Sequence, residues 1–322
     1  MLKSVARPFL FALMLGTSLH FQLVAQNAPR LLRASEEYSA TPGRFADYPV
    51  SLKKSGKSDE ASDLEKRVGT LETASGTEEK VEIAIKAGDH AFQERRIQDA
   101  ERSYKQAVDL AEDLPPGDQN LMTAMGRLGS AYAMQQKFPE ASAMFHQQLA
   151  LAEKTSGPES TASVEPLRFL GQLAAFQKNY KEAESYLKRG LDINTKMSGD
   201  NSLPAEESLR ALAGLYMAEQ DWPDAEIYLL RALKGTQASG PEVELIPLWG
   251  LCDMYDRWGK PEKSQPCWQR ATGIMEVKLG HDSPQLSQPL TNEAQALRKL
   301  GRNHEAAALE ERLTKIRLSS QH

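Results

Sequence analysis

The chain has 322 residues, with 39 Lys and Arg against 44 Asp and Glu, and its formal net charge of −5 provides no broad basic field. Nucleic acid is therefore not expected as a main partner. Two cysteines are too few for a disulfide-built scaffold or for a closed four-cysteine zinc site. Ala, Leu, Glu, Gln and Lys are common while β-branched residues are sparse, and this bias favours an all-α chain.

The first 25 residues have the pattern of an export signal. A short basic start precedes a dense apolar run over residues 9–15, which matches the n- and h-regions of a secretory signal peptide. Cleavage after the small residue Ala25 predicts an exported protein, either periplasmic or secreted. His20 and Gln22 disfavour a permanent membrane span, because such a span needs about 20 mostly apolar residues. An uncleaved membrane anchor remains the alternative.

Residues 26–79 are predicted to form a disordered polar linker. The segment has mixed charge and few apolar residues, so little burial is available to offset the entropy cost of ordering it. The tripeptide Gly56-Lys57-Ser58 resembles part of a phosphate-binding loop. That motif needs a glycine five residues before its Gly-Lys pair, and the position is occupied by Ser51. We interpret the tripeptide as solvated linker.

From about residue 80 the chain repeats. Small residues recur at intervals of 41, 42, 42, 39 and 42 positions: Ala100, Ala141, Ala183, Ala225, Ser264 and Ala306. A second column of mostly small residues lies twelve positions earlier: Gly88, Gly129, Gly171, Ala213, Cys252 and Ala294. A bulky column follows the first by four positions: Tyr104, Phe145, Leu187, Leu229, Trp268 and Glu310. Small residues let two helices approach closely and bulky ones fill the seam, so these columns predict helix hairpins.

Proline and glycine mark the predicted ends of helices in the repeats. Pro139 and Pro223 suit the first turn of a helix. Glycines in the loops between units predict helix C-caps: Gly157, Gly199, Gly240 and Gly280. In the last unit Glu293, Asn303 and Glu310 stand where earlier units are apolar, which predicts the polar outer face of a terminal repeat.

The three columns resemble the tetratricopeptide repeat family, and the period of about 42 residues is similar to the repeats of kinesin light chains. The segments 183–191 and 279–284 carry that similarity most clearly. The resemblance covers residues 80–319 and implies a right-handed α-solenoid of about six helix hairpins. It also implies a concave surface, lined by the first helix of each hairpin, where a protein or peptide binds.

One feature of kinesin-type repeats is missing. Those repeats tend to carry Asn one position before the Leu of the first helix, whereas this chain has varied residues in that column: Lys86, Arg127, Phe169, Ala211, Gly250 and Asn292. A ladder of asparagines that grips a ligand backbone is therefore not carried over to this chain.

Two arginines occupy equivalent positions on the first helices of neighbouring repeats. Arg168 and Arg210 together could grip a carboxylate from an acidic segment or a chain terminus. Trp249 and Met217 would supply the apolar part of a binding hot spot. The candidate peptide-binding residues are Arg168, Arg210, Gln172, Met217, Trp249 and Asp253. The alternative is that both arginines are solvated surface residues.

Cys252 and Cys267 lie fifteen residues apart in one hairpin, at about equal height on its two antiparallel helices. A disulfide is within reach, and export would permit it. The alternative is two unpaired buried cysteines.

The repeats carry no recognisable catalytic motif. The six histidines form no pair at metal-binding helical spacing, and neither a nucleophile elbow nor a dinucleotide-binding glycine motif occurs. Abundant carboxylates, such as Glu184, are interpreted as the solvated face of amphipathic helices. We therefore expect no enzyme activity, cofactor or metal site. The sequence favours an exported, non-enzymatic scaffold that binds a protein or peptide, with a membrane-anchored structural or assembly subunit of an envelope complex as the alternative.

Overall fold

The computed structural model describes residues 76–319, and that part of the chain is all-α. The helices are α1 (Thr77–Gln93), α2 (Ile97–Ala111), α3 (Gln119–Met134), α4 (Phe138–Ser156), α5 (Val164–Phe176), α6 (Tyr180–Ser198), α7 (Leu203–Glu219), α8 (Trp222–Thr236), α9 (Pro241–Trp258), α10 (Pro261–Leu279), α11 (Ser287–Lys299) and α12 (Asn303–Ser319). The predicted fold class, all-α with consecutive helix hairpins, is confirmed. The predicted signal and almost all of the predicted linker lie outside the described residues.

The described residues fall into two compact units. Residues 76–177 hold α1–α5, and residues 178–319 hold α6–α12. Within the first unit, α1 packs on α2 and α3 packs on α4. Within the second unit, the packed pairs are α7 with α8, α9 with α10, and α11 with α12. The first helix begins at Thr77, slightly before the predicted boundary at residue 80, and Glu78 and Glu79 in its first turn complement the positive end of the helix dipole.

The small and bulky columns meet at the seam of each hairpin. A Cβ atom added to Gly88 would lie 2.4 Å from the ring of Tyr104, and one added to Gly129 would lie 2.4 Å from the ring of Phe145. Each aromatic ring of the second helix therefore packs directly on the bare backbone of the first. The spacing of these columns in the sequence thus predicts the positions at which paired helices come closest to each other.

A residue with left-handed backbone angles follows the first helix of each hairpin within two positions. These residues are Arg95, Gln136, Lys178, Gln220, Gly259 and Gly301, with φ between 60° and 75°. After five of them, the next amide donates back to a carbonyl five residues earlier, as Lys137 N does to Tyr132 O at 3.0 Å. This closure is the Schellman motif, in which a left-handed residue satisfies the last carbonyls of a helix. The glycines between hairpins also have positive φ, as predicted for C-caps: Gly157, Gly199, Gly240 and Gly280.

Glu101 and Glu184 link successive hairpins. Each comes directly after the small residue of a second helix, Ala100 or Ala183. In the first unit, Glu101 accepts from Gln135 Nε2 and from Lys137 Nζ. In the second, Glu184 accepts from the hydroxyl of Tyr216 at 2.8 Å. Glu184 is still partly exposed and pairs with Lys188 on its own helix, as a solvated face predicts, but the next hairpin adds a tyrosine hydroxyl that helical spacing does not predict.

The last hairpin also departs from expectation. Glu293 on α11 is only 6 % exposed and accepts a hydrogen bond from Gln265 Nε2 of α10 at 3.1 Å. Gln265 in turn accepts from Arg302. The predicted polar outer face is therefore wrong at Glu293, which a polar network holds inside the stack. Burial raises the pKa of the Glu293 carboxyl.

None of the helices within residues 76–319 combines the length and apolar character that a membrane span requires.

Candidate functional site

Arg168 and Gln172 lie on α5 of the first unit. The guanidinium carbon of Arg168 stands 4.3 Å from the centre of the Phe169 ring, and its Nη1 donates to Gln172 Oε1 at 3.3 Å. The Phe169 ring is stacked on Phe145 with centroids 4.8 Å apart. Gln172 is buried, so it orients Arg168 and offers a ligand little surface of its own.

Arg210 lies on α7 of the second unit, and its charge already has a partner. Its Nε donates to Oε1 of Glu206, one turn earlier, at 2.5 Å. Glu206 is buried, and this burial raises the pKa of its carboxyl while the charge of Arg210 opposes the shift. Arg168 and Arg210 belong to different units, and their shared grip on one carboxylate stays a prediction.

Trp249 on α9 is partly exposed and rests on a rigid support. Its ring meets the ring of Trp268 of α10 edge-on, at a centroid distance of 5.0 Å and an interplanar angle of 90°. Trp268 is fully buried, and its indole Nε1 donates to Asp256 Oδ2 at 2.7 Å. Trp249 also packs against the apolar cluster that contains Leu290. The contact with the Trp268 ring therefore fixes the position of the exposed apolar face of Trp249.

Ile246 was not among the binding residues predicted from the sequence, and it extends this apolar surface. It precedes Trp249 by three residues on α9, the spacing that places two side chains on one helix face. Its side chain is 47 % exposed. The helical spacing from Trp249 is the signal that could have identified it.

Met217 offers a ligand less exposed surface than predicted. Met217 is 9 % exposed, so it serves mainly as packing. Gly214, three residues before it on α7, has no atom within 4 Å of the place where a Cβ would lie. The surface of α7 is therefore open there, although a glycine inside a helix costs about 1 kcal/mol relative to alanine. Helices α7 and α9 contact each other in the second unit.

Asp253 lies one turn after Trp249 and forms an ion pair with Arg257. The distance from Arg257 Nε to Asp253 Oδ2 is 3.0 Å, and both side chains are partly exposed. Burial raises the pKa of Asp253, while the charge of Arg257 opposes that shift. The surface thus has a second arginine that is already matched to a carboxylate on its own helix.

Cys252 and Cys267 are joined by a disulfide that ties α9 to α10, with their Cα atoms 5.4 Å apart. Cys252 is completely buried, and Cys267 retains 8 % exposure. Because Cys252 lies between Trp249 and Asp253 in sequence, the bond anchors the same turn of α9 that carries the candidate binding residues.

Within residues 76–319, no cluster of three or more His, Cys, Asp or Glu side chains could hold a metal ion. The side chains of the second unit offer instead an aromatic face, an exposed aliphatic side chain and two arginines in ion pairs. Such a set can bind a peptide or protein segment, since aromatic and arginine side chains dominate the energy of protein interfaces.

Comparisons with known proteins place the repeats in one family. Residues 120–196 and 208–240 match models of the tetratricopeptide repeat. No curated protein matches the chain.

Several solved structures share the fold. BtubC (BKLC) from P. vanneervenii is 19 % identical with a TM-score of 0.54, and the match covers 74 % of this chain and 94 % of that one. A putative kinesin light chain of Podosopora anserina with nearly identical TPR-like repeats is 19 % identical with a TM-score of 0.55, over 62 % of this chain and 97 % of that one. A Rap protein complexed with Competence and Sporulation Factor is 14 % identical with a TM-score of 0.52, over 84 % and 75 % of the two chains. Residues 120–196 and 208–240 are therefore tetratricopeptide repeats, and the fold of the described residues resembles that of kinesin light chain repeats.

Proposed function

We propose that this protein is a non-catalytic scaffold that binds a protein or peptide segment through the first helices of its second unit. The tetratricopeptide repeat fold supports protein–protein interaction in general. The observation that supports the particular surface is Trp249, which is partly exposed and rests edge-on on the buried ring of Trp268. We define the Trp249 surface as Arg210, Ile246, Trp249, Asp253 and Arg257.

The chemistry of the Trp249 surface favours one kind of segment. Trp249 and Ile246 would take a bulky apolar or aromatic side chain, because Trp249 is held in place by Trp268 and both residues retain exposed apolar area. On the neighbouring helix α7, no atom lies within 4 Å of the place where a Cβ of Gly214 would be, so a ligand side chain has space there. A segment that carries one large apolar side chain therefore fits the surface best.

A carboxylate on the ligand would be the second element. Arg210 and Arg257 each carry an internal carboxylate partner, so a ligand carboxylate must compete with Glu206 or Asp253 for the guanidinium. An arginine has five N–H donors and can serve two acceptors at once. We therefore propose an acidic residue or a chain terminus close to the apolar anchor. The Rap protein, seen in complex with Competence and Sporulation Factor, is a case where a similar fold holds a bound factor.

The test is a selection of random 12-residue peptides displayed on phage against the full chain. Parallel selections use Trp249→Ala and a matched control, Trp258→Ala, which lies nine residues further along α9 and thus about half a turn away around the helix. We expect the wild type and Trp258→Ala to enrich one consensus with a large apolar residue and an acidic residue. Trp249→Ala should not enrich it. Failure of the wild type to enrich any consensus, or equal enrichment by Trp249→Ala, would contradict the proposal.

We also propose that the protein is exported, on the strength of the basic start and apolar run in residues 1–25. N-terminal sequencing of the mature protein tests this proposal. A mature chain that begins at Gln26 supports export with cleavage. Retention of Met1 in the membrane fraction supports the alternative of an anchored structural or assembly subunit. Retention of Met1 in the aqueous fraction contradicts both.

A further inference from the structure

The hairpin formed by α9 and α10 is built differently from the other pairs. Pro247 is the seventh residue of α9 and Pro266 the sixth residue of α10. A proline inside a helix removes one backbone hydrogen bond and lets the helix bend there. Among the helices of residues 76–319, these two are the ones with a proline beyond the first turn. Both helices of this hairpin therefore hold their shape less firmly by backbone bonding alone.

The same hairpin replaces a small residue with cysteine at the point of closest approach. Cys252 occupies the column that holds glycine or alanine in the other units: Gly88, Gly129, Gly171, Ala213 and Ala294. At Gly88 and Gly129 even a Cβ would meet an aromatic ring at 2.4 Å. Cys252 is nevertheless fully buried, and its sulfur is bonded to Cys267 of the facing helix.

Reduction of this bond would create a packing conflict. Bonded sulfur atoms lie about 2.05 Å apart, whereas unbonded heavy atoms approach to about 3.5–4.0 Å. After reduction the two sulfur atoms must move apart, but Cys252 is fully buried and has no exposed surface. Tightly packed helix pairs respond to such overpacking by shifting apart. We expect the shift in α9 and α10, whose prolines allow bending five residues before Cys252 and one residue before Cys267.

The shift would reach the Trp249 surface directly. Trp249 precedes Cys252 by three residues, and Trp268 follows Cys267 by one. The two rings form the edge-on contact that fixes Trp249. We propose that the Cys252–Cys267 disulfide is a redox-controlled latch, which holds Trp249 in its binding position when oxidised and releases it when reduced. This inference rests on the proposed function, because it assigns regulation to the same surface.

The reaction is a thiol–disulfide exchange with a dithiol reductant. A thiolate of the dithiol attacks the sulfur of Cys267, the more exposed of the pair, and the S–S bond to Cys252 breaks. Cys252 leaves as a thiolate and takes up a proton. The second thiol of the reductant then displaces Cys267 from the mixed disulfide. The protein gains two electrons and two protons, and the reductant becomes a cyclic disulfide.

The experiment compares the full chain before and after treatment with dithiothreitol, and alkylation with mass spectrometry confirms the state of both cysteines. Two quantities are measured: hydrogen exchange of residues 248–257, and the Kd for the consensus peptide from the phage selection. We expect reduction to accelerate exchange in this segment and to raise the Kd by about tenfold, as it would if the binding-competent fraction fell to a tenth.

The double variant Cys252→Ala/Cys267→Ala is the control. Alanine at position 252 is the residue found at Ala213 and Ala294, so this variant removes the sulfurs without overpacking the seam. Circular dichroism checks that it folds. We expect dithiothreitol to leave both its Kd and its exchange unchanged.

Each outcome has a distinct meaning. Free thiols in the untreated protein, equal exchange and Kd before and after reduction, or a response of the double variant equal to that of the wild type would each overturn the latch. A wild type that shows faster exchange on reduction but binds no selected peptide in either state would contradict the proposed function and support the conformational latch alone.

Discussion

The hydroxyl of Tyr255 on α9 donates a hydrogen bond to Oε1 of Glu226 on α8, 2.6 Å away, and thereby links one hairpin to the next. Lys263 of α10 donates to the same oxygen at 2.6 Å. Burial raises the pKa of Tyr255, and the hydrogen bond to Glu226 adds to the shift. Burial of Glu226 alone would raise its pKa, but the bonds from Lys263 and Tyr255 lower it. The carboxylate is therefore a shared acceptor between three helices.

The first prediction concerns this link. Tyr255→Phe should destabilise the protein by about 1 kcal/mol, because it removes a partly buried hydrogen bond to a charged group and leaves the ring in place. Urea unfolding measures the change. A double-mutant cycle with Glu226→Gln isolates the pair, and a coupling energy near zero would show that the bond contributes nothing to stability.

The second prediction concerns pH. Burial raises the pKa of Glu206, so the native protein holds this proton more tightly than the unfolded chain does. The corresponding stabilisation is fully present below the unfolded pKa, about 4.3, and is lost as pH rises through the folded pKa. Glu206→Gln does not titrate. The stability of the wild type relative to this variant should therefore fall between pH 4 and neutrality in urea titrations. A difference that is constant or rises with pH would contradict the burial effect.

The third prediction uses the left-handed turn that ends each first helix. Gln136 and Gly259 occupy equivalent positions, with φ of 62° and 73°. Gln136→Gly should stabilise the protein by about 0.5–1 kcal/mol, since left-handed strain of about 1–2 kcal/mol exceeds the entropic cost of glycine, about 0.5–1 kcal/mol. Gly259→Ala should destabilise it by about 1 kcal/mol, because a Cβ there meets open space and only the backbone strain counts. Effects of equal sign in thermal unfolding would refute this explanation.

The fourth prediction concerns the disulfide as a structural bond. Peptide mapping without reductant should recover one linked pair that contains Cys252 and Cys267. Reduction should lower the free energy of unfolding by about 3 kcal/mol, the size expected for a loop of about 15 residues. Recovery of both peptides in alkylated, unlinked form from oxidised protein would show that the cysteines are free.

The architecture was predictable because it rests on spacing. The small columns predict where Gly88 and Gly129 contact the facing rings, since close helix approach requires small residues at a fixed period. The C-cap glycines were predictable for a similar local reason, because Gly157 and Gly199 supply positive φ at helix ends.

The polar contacts between hairpins were not predictable in the same way. Glu184 reads as a solvated helix residue, and its partner Tyr216 lies 32 residues further along the chain. Glu293 reads as an outer-face residue, yet it bonds to Gln265, 28 residues earlier. Helical periodicity indicates which face a residue occupies but not which side chain a neighbouring hairpin brings to it.

The candidate site was predicted in part. Trp249 and Asp253 are partly exposed in the structure, whereas Gln172 and Met217 are buried. The pairing of Glu206 with Arg210 follows the spacing of four residues that favours ion pairs on a helix, and the sequence contained that signal. The exposure of Ile246 depends on how α9 packs in the second unit, which spacing alone does not determine.

The most direct test of the central claim is a hydrogen-exchange footprint of the consensus peptide on the oxidised full chain. We predict protection of α7 around Gly214 and of α9 over residues 246–253, with no added protection of the exposed face of α8 around Ile227. If saturating peptide slowed amide exchange in α8 and left the exchange of α9 unchanged, the Trp249 surface would not be the binding site.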